Sequence, residues 1–330
     1  MDIIAEFVIS ALVIIAAGVV LTKCADTIAE VTKLGRLLVG SILLAGATSL
    51  PELSVDLSAI RLGAPDLAVG DLLGSSLANL LILALLDLTY HSRGHMLSRR
   101  SARHALSGSM SSALTAVVGL AILTAPMLGE TTFLGIGIGL WTVAAVYIGG
   151  VRIVYHDQRV TAVEYAESEP AHPPQSLPKA VGGFVAAAAV IFFVGPFMAH
   201  AADHFATTSG LGKTFVGTTL VAICTSLPEL VSSLTAIRMK AFDLAIGNVF
   251  GSNSFNMLLL VPLDIAQPGA LMAVVAAGHG ITCMAIILAT QTAIIGQLYH
   301  VEGRYRFIDP DAWLVIAIVT GGLFLVYCVK

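Results

Sequence analysis

Two glutamates lie inside apolar stretches of the chain, and each follows the same four residues, so that Thr-Ser-Leu-Pro-Glu occurs at 48–52 and again at 225–229. On a helix, the threonine and the serine lie four and three residues before the glutamate, which places two hydroxyls and a carboxylate on one face. Each stretch continues to a serine that lies four residues before an asparagine. Side-chain oxygens at this spacing can coordinate a cation.

The candidate ligands are all oxygen donors, with two carboxylates, two amides and six hydroxyls, and they include no thiol and no imidazole. They are Thr48, Ser49, Glu52, Ser75, Asn79, Thr225, Ser226, Glu229, Ser252 and Asn256. Zinc and copper sites normally contain His or Cys, whereas Ca²⁺ takes about six to eight oxygen ligands. The set therefore indicates a hard cation.

A proline directly precedes the glutamate in both copies, at Pro51 and Pro228. Because proline has no N–H and clashes with the preceding turn, we expect the helix to break just before each glutamate. The break leaves carbonyl oxygens near Ala47 and Cys224 without their usual donors. In lipid, such carbonyls are tolerated only beside protein or a hydrated cavity.

Two glutamates neutralise one divalent ion, and this balance suggests an exchange mechanism. When the ion leaves, two charges remain in a low-dielectric interior, where each costs at least about 2.5 to 3.5 kcal/mol. We therefore expect the empty site to resist reorientation until Na⁺ or protons neutralise it. The alternative is that each Pro-Glu is a kink with a structural, hydrogen-bonded acid, although two related copies with the same polar neighbours favour the ion site.

The two stretches, 40–87 and 217–264, align without a gap at a constant offset of 177 residues, and about half of their positions are identical. This similarity indicates an internal duplication. Two acids break it, because Asp56 aligns with Ser233 and Asp71 aligns with Asn248. These acids either tune proton coupling or line a hydrated path.

The composition is that of a polytopic membrane protein. Of the 330 residues, 57% are hydrophobic and only 12% are charged, whereas soluble domains carry about 25% charged residues. Apolar runs predict ten spans, which at about 20 residues each leave no room for a large soluble domain. The predicted spans are 3–22, 38–60, 66–88, 104–125, 131–153, 179–199, 211–237, 243–264, 270–296 and 312–329.

Basic residues gather on alternate loops, which predicts a cytoplasmic side that includes the central loop and places both termini outside the cytoplasm. The chain divides into a first five-helix repeat at 1–154, a cytoplasmic linker at 155–178 and a second five-helix repeat at 179–330. Because five is odd, the repeats enter the membrane from opposite sides. We expect Glu52 and Glu229 to face each other at their interface.

The sequence resembles the sodium/calcium exchanger family of the cation/calcium antiporter superfamily. The resemblance rests on the doubled Thr-Ser-Leu-Pro-Glu motif, each copy followed by Gly-x-x-x-Gly-Ser-x-x-x-Asn, at 70–79 and 247–256, which are similar to the two alpha repeats of the family. Only about twenty polar residues separate the halves, so the chain resembles a prokaryotic-type member without the regulatory domain.

The resemblance implies alternating-access exchange of Ca²⁺ against Na⁺ or H⁺. It adds the backbone carbonyls of Ala45 and Ala222 to the ten side-chain ligands, and it implies that spans 3–22 and 179–199 slide as a gating bundle. The chain departs from the family where Ala47 and Cys224 stand in place of the common glycine, which adds bulk at the kink.

We therefore predict an all-α integral membrane protein with ten transmembrane helices in two inverted five-helix repeats, with broken helices at the ion site. We predict a multi-pass antiporter of the cell membrane, not an enzyme, that exchanges Ca²⁺ for Na⁺. We expect the protein to be embedded in the lipid bilayer, to need no cofactor, and to bind neither nucleic acid nor an obligatory protein partner. A Ca²⁺/H⁺ antiporter and an uncoupled calcium channel or sensor remain the alternatives. An intramembrane hydrolase lacks any supporting Ser/His/Asp or His-Glu-x-x-His arrangement.

Overall fold

The computed structural model describes residues 3–90, 104–128, 131–164, 176–208, 224–298 and 310–328. The helices there are α1 (Ile3–Thr32), α2 (Arg36–Thr48), α3 (Leu50–Arg61), α4 (Pro65–Tyr90), α5 (His104–Leu128), α6 (Ile138–Glu164), α7 (Leu177–Thr208), α8 (Leu227–Arg238), α9 (Phe242–Ala266), α10 (Leu271–Val274), α11 (His279–Leu298) and α12 (Pro310–Cys328). Seven of them are long and apolar enough to cross a membrane, and the bent pair α2–α3 is an eighth candidate.

Both predicted helix breaks occur at the serine of the repeated motif. Ser49 leaves the helical region, with φ −86° and ψ 8°, and α3 restarts at Leu50 with Pro51 in its first turn. The axes of α2 and α3 differ by 42°. Ser226 has nearly the same backbone angles, φ −82° and ψ 4°, before α8. The break is expected because a proline in the first turn of a helix lacks only an N–H that would be unsatisfied there anyway.

Two of the predicted spans begin differently from the expectation. The fifth was placed at 131–153, but its first residues form a small antiparallel hairpin, Thr132–Phe133 with Ile136–Gly137, before α6. The ninth, at 270–296, is interrupted between α10 and α11. Asp264 accepts the backbone N–H of Gly137 at 2.7 Å and that of Leu271, at the start of α10, at 2.5 Å. At the interruption itself, Asp66 accepts the backbone N–H of Ala276 at 2.7 Å.

Two helices also reach into the segment predicted as a linker, 155–178. Helix α6 continues to Glu164 and α7 already begins at Leu177. Residues 209–223, which include the first part of the predicted seventh span, lie outside the described residues.

The helix contacts follow the duplication. Helix α1 packs against α8, and α7, its counterpart in the second half, packs against α3. In the same way α4 contacts α11 and α12, while α9 contacts α5 and α6. The counterparts α1 and α7 also pack against each other, as do α4 and α9. The pairs of equivalent contacts bring the two helix breaks to the middle of the molecule.

Helices α2 and α9 cross at glycines. A β-carbon on Gly40 would lie 2.6 Å from the carbonyl oxygen of Leu244, and one on Gly247 would lie 2.7 Å from that of Leu37. A β-carbon on Gly251 would collide with the backbone of Ser41. Small residues let helix backbones approach closely in membranes, and these three glycines allow α2 and α9 to cross.

Candidate cation-binding site

The predicted ligands lie in one buried cluster at the two helix breaks. The carbonyl-bearing Ala45 and all ten side-chain ligands have exposed fractions of 3% or less. The twelfth predicted residue, Ala222, lies outside the described residues. The structure therefore gathers residues from α2, α3, α4, α8 and α9 into a single polar region inside an otherwise apolar molecule.

The two glutamates are connected through serines of both halves. The hydroxyl of Ser49 donates to Oε1 of Glu229 at 3.4 Å, and that of Ser75 donates to Oε1 of Glu52 at 3.2 Å. Ser75 also lies 3.0 Å from the hydroxyl of Ser226. The contacts of Ser49 with Glu229 and of Ser75 with Ser226 each cross between the two halves, so both glutamates belong to one group of buried side chains.

Thr48 lies at the centre of a second set of contacts. Its hydroxyl donates to the carbonyl of Ala45 at 3.2 Å, and it lies 3.4 Å from Oδ1 of Asn248 and 3.4 Å from the hydroxyl of Ser252. The Ala45 carbonyl also accepts the backbone N–H of Ser49 at 3.0 Å. Both lone pairs of this carbonyl are thus used within its own helix, and the Thr48 hydroxyl would have to turn away before the carbonyl could bind a cation.

The two predicted asparagines are held by their amide nitrogens. Nδ2 of Asn79 donates to Oδ1 of Asn253 at 3.1 Å. Nδ2 of Asn256 donates to the carbonyl of Leu72 at 3.4 Å and lies 3.5 Å from the hydroxyl of Ser76. In both residues the amide oxygen Oδ1 is buried without a hydrogen-bond partner.

Four buried oxygens without hydrogen-bond partners are related by the duplication. They are Oε2 of Glu52, Oε2 of Glu229, Oδ1 of Asn79 and Oδ1 of Asn256. Leaving a buried polar atom unpaired costs about 1–3 kcal/mol, and each such atom in a native structure requires an explanation. A bound cation is the kind of partner that such unpaired oxygens require.

The donor set is suited to a hard cation. Within the part of the chain that the structure describes, no cluster of three or more His, Cys, Asp or Glu side chains could hold a metal ion. A cation at this site would take two carboxylates and complete its shell with hydroxyl, amide and carbonyl oxygens, which is the ligand chemistry of Ca²⁺.

Two residues that support the site, Asn253 and Asn248, were not among the predicted ligands. Asn253 accepts from Asn79 and donates to the carbonyl of Ser76 at 3.1 Å, so it ties α9 to α4. Asn248 contacts Thr48 and donates to Ser233 at 3.2 Å. A signal for Asn253 was present in the repeat, because it is an amide inside an apolar stretch where the first copy has Ser76.

We expect replacement of Asn253 by alanine to loosen the site. Both polar atoms of this amide have partners on α4, and Asn79 would lose the bond that orients it. Loss of a buried amide with its partners left unpaired should lower the free energy of unfolding by about 1–3 kcal/mol. Thermal unfolding of the purified protein, with and without Ca²⁺, measures both the loss and the weakened stabilisation by the ion.

Asn253→Ser is the matched comparison, because it introduces the residue of the first copy and keeps a hydroxyl. We expect it to retain part of the stability that Asn253→Ala loses. Equal stability of all three proteins would contradict the supporting role of this amide.

Comparison with known proteins connects this site to a family. Residues 3–101 and 179–329 match the family described as sodium/calcium exchanger protein. The putative antiporter CaxA of Alkalimonas amylolytica is 30% identical over 266 residues, which make up 80% of this chain and 81% of that protein. The inner membrane protein YrbG of Escherichia coli is 28% identical over 237 residues, covering 71% of this chain and 70% of that protein.

A solved structure has the same fold. The sodium-calcium exchanger NCX_Mj aligns with a TM-score of 0.68 at 19% identity, over 99% of this chain and 98% of that chain. At this level of identity the likeness concerns the arrangement of the helices.

Proposed function

Because the chain belongs to the sodium/calcium exchanger protein family, whose members are transporters and not enzymes, we propose that it is a secondary active antiporter that moves Ca²⁺ outward in exchange for Na⁺. The observation that carries this proposal is the symmetric set of four buried, unpaired oxygens on Glu52, Glu229, Asn79 and Asn256. Two carboxylates and two amide oxygens match the charge and the donor preference of one Ca²⁺.

The proposed ligands comprise these four residues, the hydroxyls around them and two backbone carbonyls. They are Ala45, Thr48, Ser49, Glu52, Ser75, Asn79, Ala222, Thr225, Ser226, Glu229, Ser252 and Asn256. The hydrogen bonds of Ser49 to Glu229 and of Ser75 to Glu52 support the grouping, because each joins ligands from different helices. In the ion-bound state these hydroxyls would turn their oxygens toward the cation.

Exchange follows from the cost of emptying the site. Both glutamates are fully buried, and without a cation their negative charges would repel each other in a low-dielectric region. The protein therefore reorients only when Ca²⁺ or monovalent cations neutralise the two acids. Each half-cycle then carries a cation, and calcium movement is tied to the gradient of the counter-ion.

We propose ten membrane spans in two inverted halves, 1–154 and 179–330, joined on the cytoplasmic side, with both termini outside. The equivalent packing of α1 on α8 and of α7 on α3 supports a twofold relation between the halves. Helices α1 and α7 lie together beside the two broken spans. We propose that they slide as one unit and open the site to either side in turn.

Calcium uptake into proteoliposomes tests the proposal and identifies the counter-ion. Purified protein is reconstituted with internal Na⁺, and uptake of external Ca²⁺ is recorded after dilution into Na⁺-free buffer at equal pH. A second preparation carries a pH gradient alone. We expect the Na⁺ gradient to drive calcium above its equilibrium level, and uptake driven by the pH gradient alone would instead identify a Ca²⁺/H⁺ antiporter of the same fold.

The control is the same vesicle without either gradient. Calcium that only equilibrates, at the same rate with and without a counter-ion gradient, would identify an uncoupled channel and overturn the proposed exchange.

A further inference from the structure

Two acids beside the proposed calcium site interrupt the symmetry of the molecule. Asp56 on α3 and Asp71 on α4 occupy the positions that Ser233 and Asn248 hold in the second half. In the second half these positions meet, because Nδ2 of Asn248 donates to the hydroxyl of Ser233 at 3.2 Å. The duplication therefore places a carboxyl pair where the other half has a neutral hydrogen bond.

The local geometry also brings Asp56 and Asp71 to the same height. Helices α3 and α4 run in opposite directions because a tight turn at 62–64 joins them, with Gly63 at φ 74°. Asp56 follows Glu52 by four residues, and Asp71 precedes Ser75 by four, so both lie about 6 Å from the calcium ligands on the side of this turn. The charge of Asp71 acts on the carboxyl groups of both Asp56 and Glu52.

The pair is buried and unsatisfied. Asp56 is 1% exposed and Asp71 is 7% exposed. Both carboxyl oxygens of Asp56 and Oδ2 of Asp71 have no hydrogen-bond partner. Two like charges cannot both stay ionised and bare at such a place, so the pair requires a positive charge of its own.

We propose that Asp56 and Asp71 form a second cation site, present in the first half only, that binds one monovalent counter-ion of the exchange. The ion is Na⁺ or H⁺, which share the chemistry required here, a single positive charge held between two carboxylates. The inference rests on the proposed antiport function and assigns one of its counter-ions to named residues.

The carboxyl pair lies on only one side of the proposed calcium ligands. In the topology proposed above, the turn at 62–64 faces the outside, so Asp56 and Asp71 lie between the calcium ligands and the external solution. The corresponding inner position holds the neutral Ser233 and Asn248. The charged groups that act on the pair include Glu52 and Glu229, and the thiol of Cys224 is also near Asp71. A cation that enters from outside would therefore meet this pair before it reaches the central glutamates.

The chain itself supplies the decisive variant. Asp56→Ser combined with Asp71→Asn copies the neutral pair of the second half into the first, with side chains that the fold already accepts at equivalent positions. Asp56→Asn alone is the milder variant. Asp66→Asn is the matched control, since it neutralises an acid on the same helix α4 that is 55% exposed on its side chain.

Two transport modes are compared in proteoliposomes. Exchange of labelled Ca²⁺ for unlabelled Ca²⁺ requires only the central site. Calcium uptake driven by a Na⁺ or pH gradient requires the counter-ion sites too. We expect the double variant to keep Ca²⁺/Ca²⁺ exchange, while its gradient-driven uptake should fall by about tenfold or more. A decrease of this size is in the usual range of coupling between two sites. The charge moved per Ca²⁺ should change by one elementary unit.

Na⁺ and H⁺ are distinguished by which of the two gradients no longer drives calcium uptake in the double variant. Unchanged counter-ion dependence and unchanged charge per Ca²⁺ would overturn the second site. Equal loss of both transport modes would overturn it as well, because it would make the acids part of the calcium site. If the unaltered protein fails to exchange at all, the proposed function itself fails, and the two failures are thus distinct.

Discussion

Glu52→Gln and Glu229→Gln should each reduce gradient-driven calcium transport by about a hundredfold or more while leaving the protein folded. Removing one partner of a buried charge pair costs roughly 3–5 kcal/mol, and about 1.4 kcal/mol corresponds to a factor of ten. The amide keeps the shape and one oxygen of the carboxylate but removes the charge that balances Ca²⁺. Calcium flux in proteoliposomes under the driving gradient measures the effect.

Stability provides a second reading that separates a lost ligand from a misfolded protein. In the unaltered protein, Ca²⁺ should raise the thermal unfolding temperature, because it binds the folded state. In each variant this rise should disappear, whereas the stability without calcium should stay equal or increase, since a buried charge has been removed. Glu6→Gln in the first turn of α1 is the control and should behave like the unaltered protein. Normal transport in both glutamine variants would contradict the proposed site.

Much of the site was predictable from the sequence because the same residue types occur at the same spacing in both copies of the duplication. A single Pro-Glu in an apolar stretch is ambiguous, but the second copy at Pro228 and Glu229 gives the same spacing of hydroxyls and amide. The break at Ser49 also follows from local chemistry, because the missing N–H of Pro51 acts within one turn. Neither inference requires knowledge of distant contacts.

The features that sequence reasoning missed depend on contacts between distant elements. The hairpin at 132–137 and the separate start of α10 are both held by Asp264, which lies more than a hundred residues after the hairpin. From apolar composition alone, each of these two segments is predicted to be part of a longer membrane span. Asn253 was overlooked as a supporting residue because its two partners lie on α4 of the other half. Periodicity and composition describe one segment at a time and cannot supply such pairings.

Gly251→Ala should be among the most destabilising single-methyl changes in the protein. The added β-carbon would lie 2.5 Å from the carbonyl oxygen and 2.7 Å from the carbonyl carbon of Ser41. These atoms are backbone, so α2 and α9 must move apart, and overpacking of this kind costs about 1–3 kcal/mol or more.

The displacement caused by Gly251→Ala should also reach the ion ligands. Thr48 lies near the end of α2 and contacts Ser252, the residue that follows the substituted glycine. We therefore expect a lower unfolding temperature, a shorter half-life at a fixed elevated temperature, and weaker stabilisation by Ca²⁺ together. Gly149→Ala on α6 is the matched control, since among the described residues no atom beyond its own helix backbone lies within 4 Å of the added β-carbon. It should be neutral or stabilising by up to about 1 kcal/mol, because alanine favours the helix. Equal behaviour of the two variants would mean that the crossing of α2 and α9 does not set the geometry of the site.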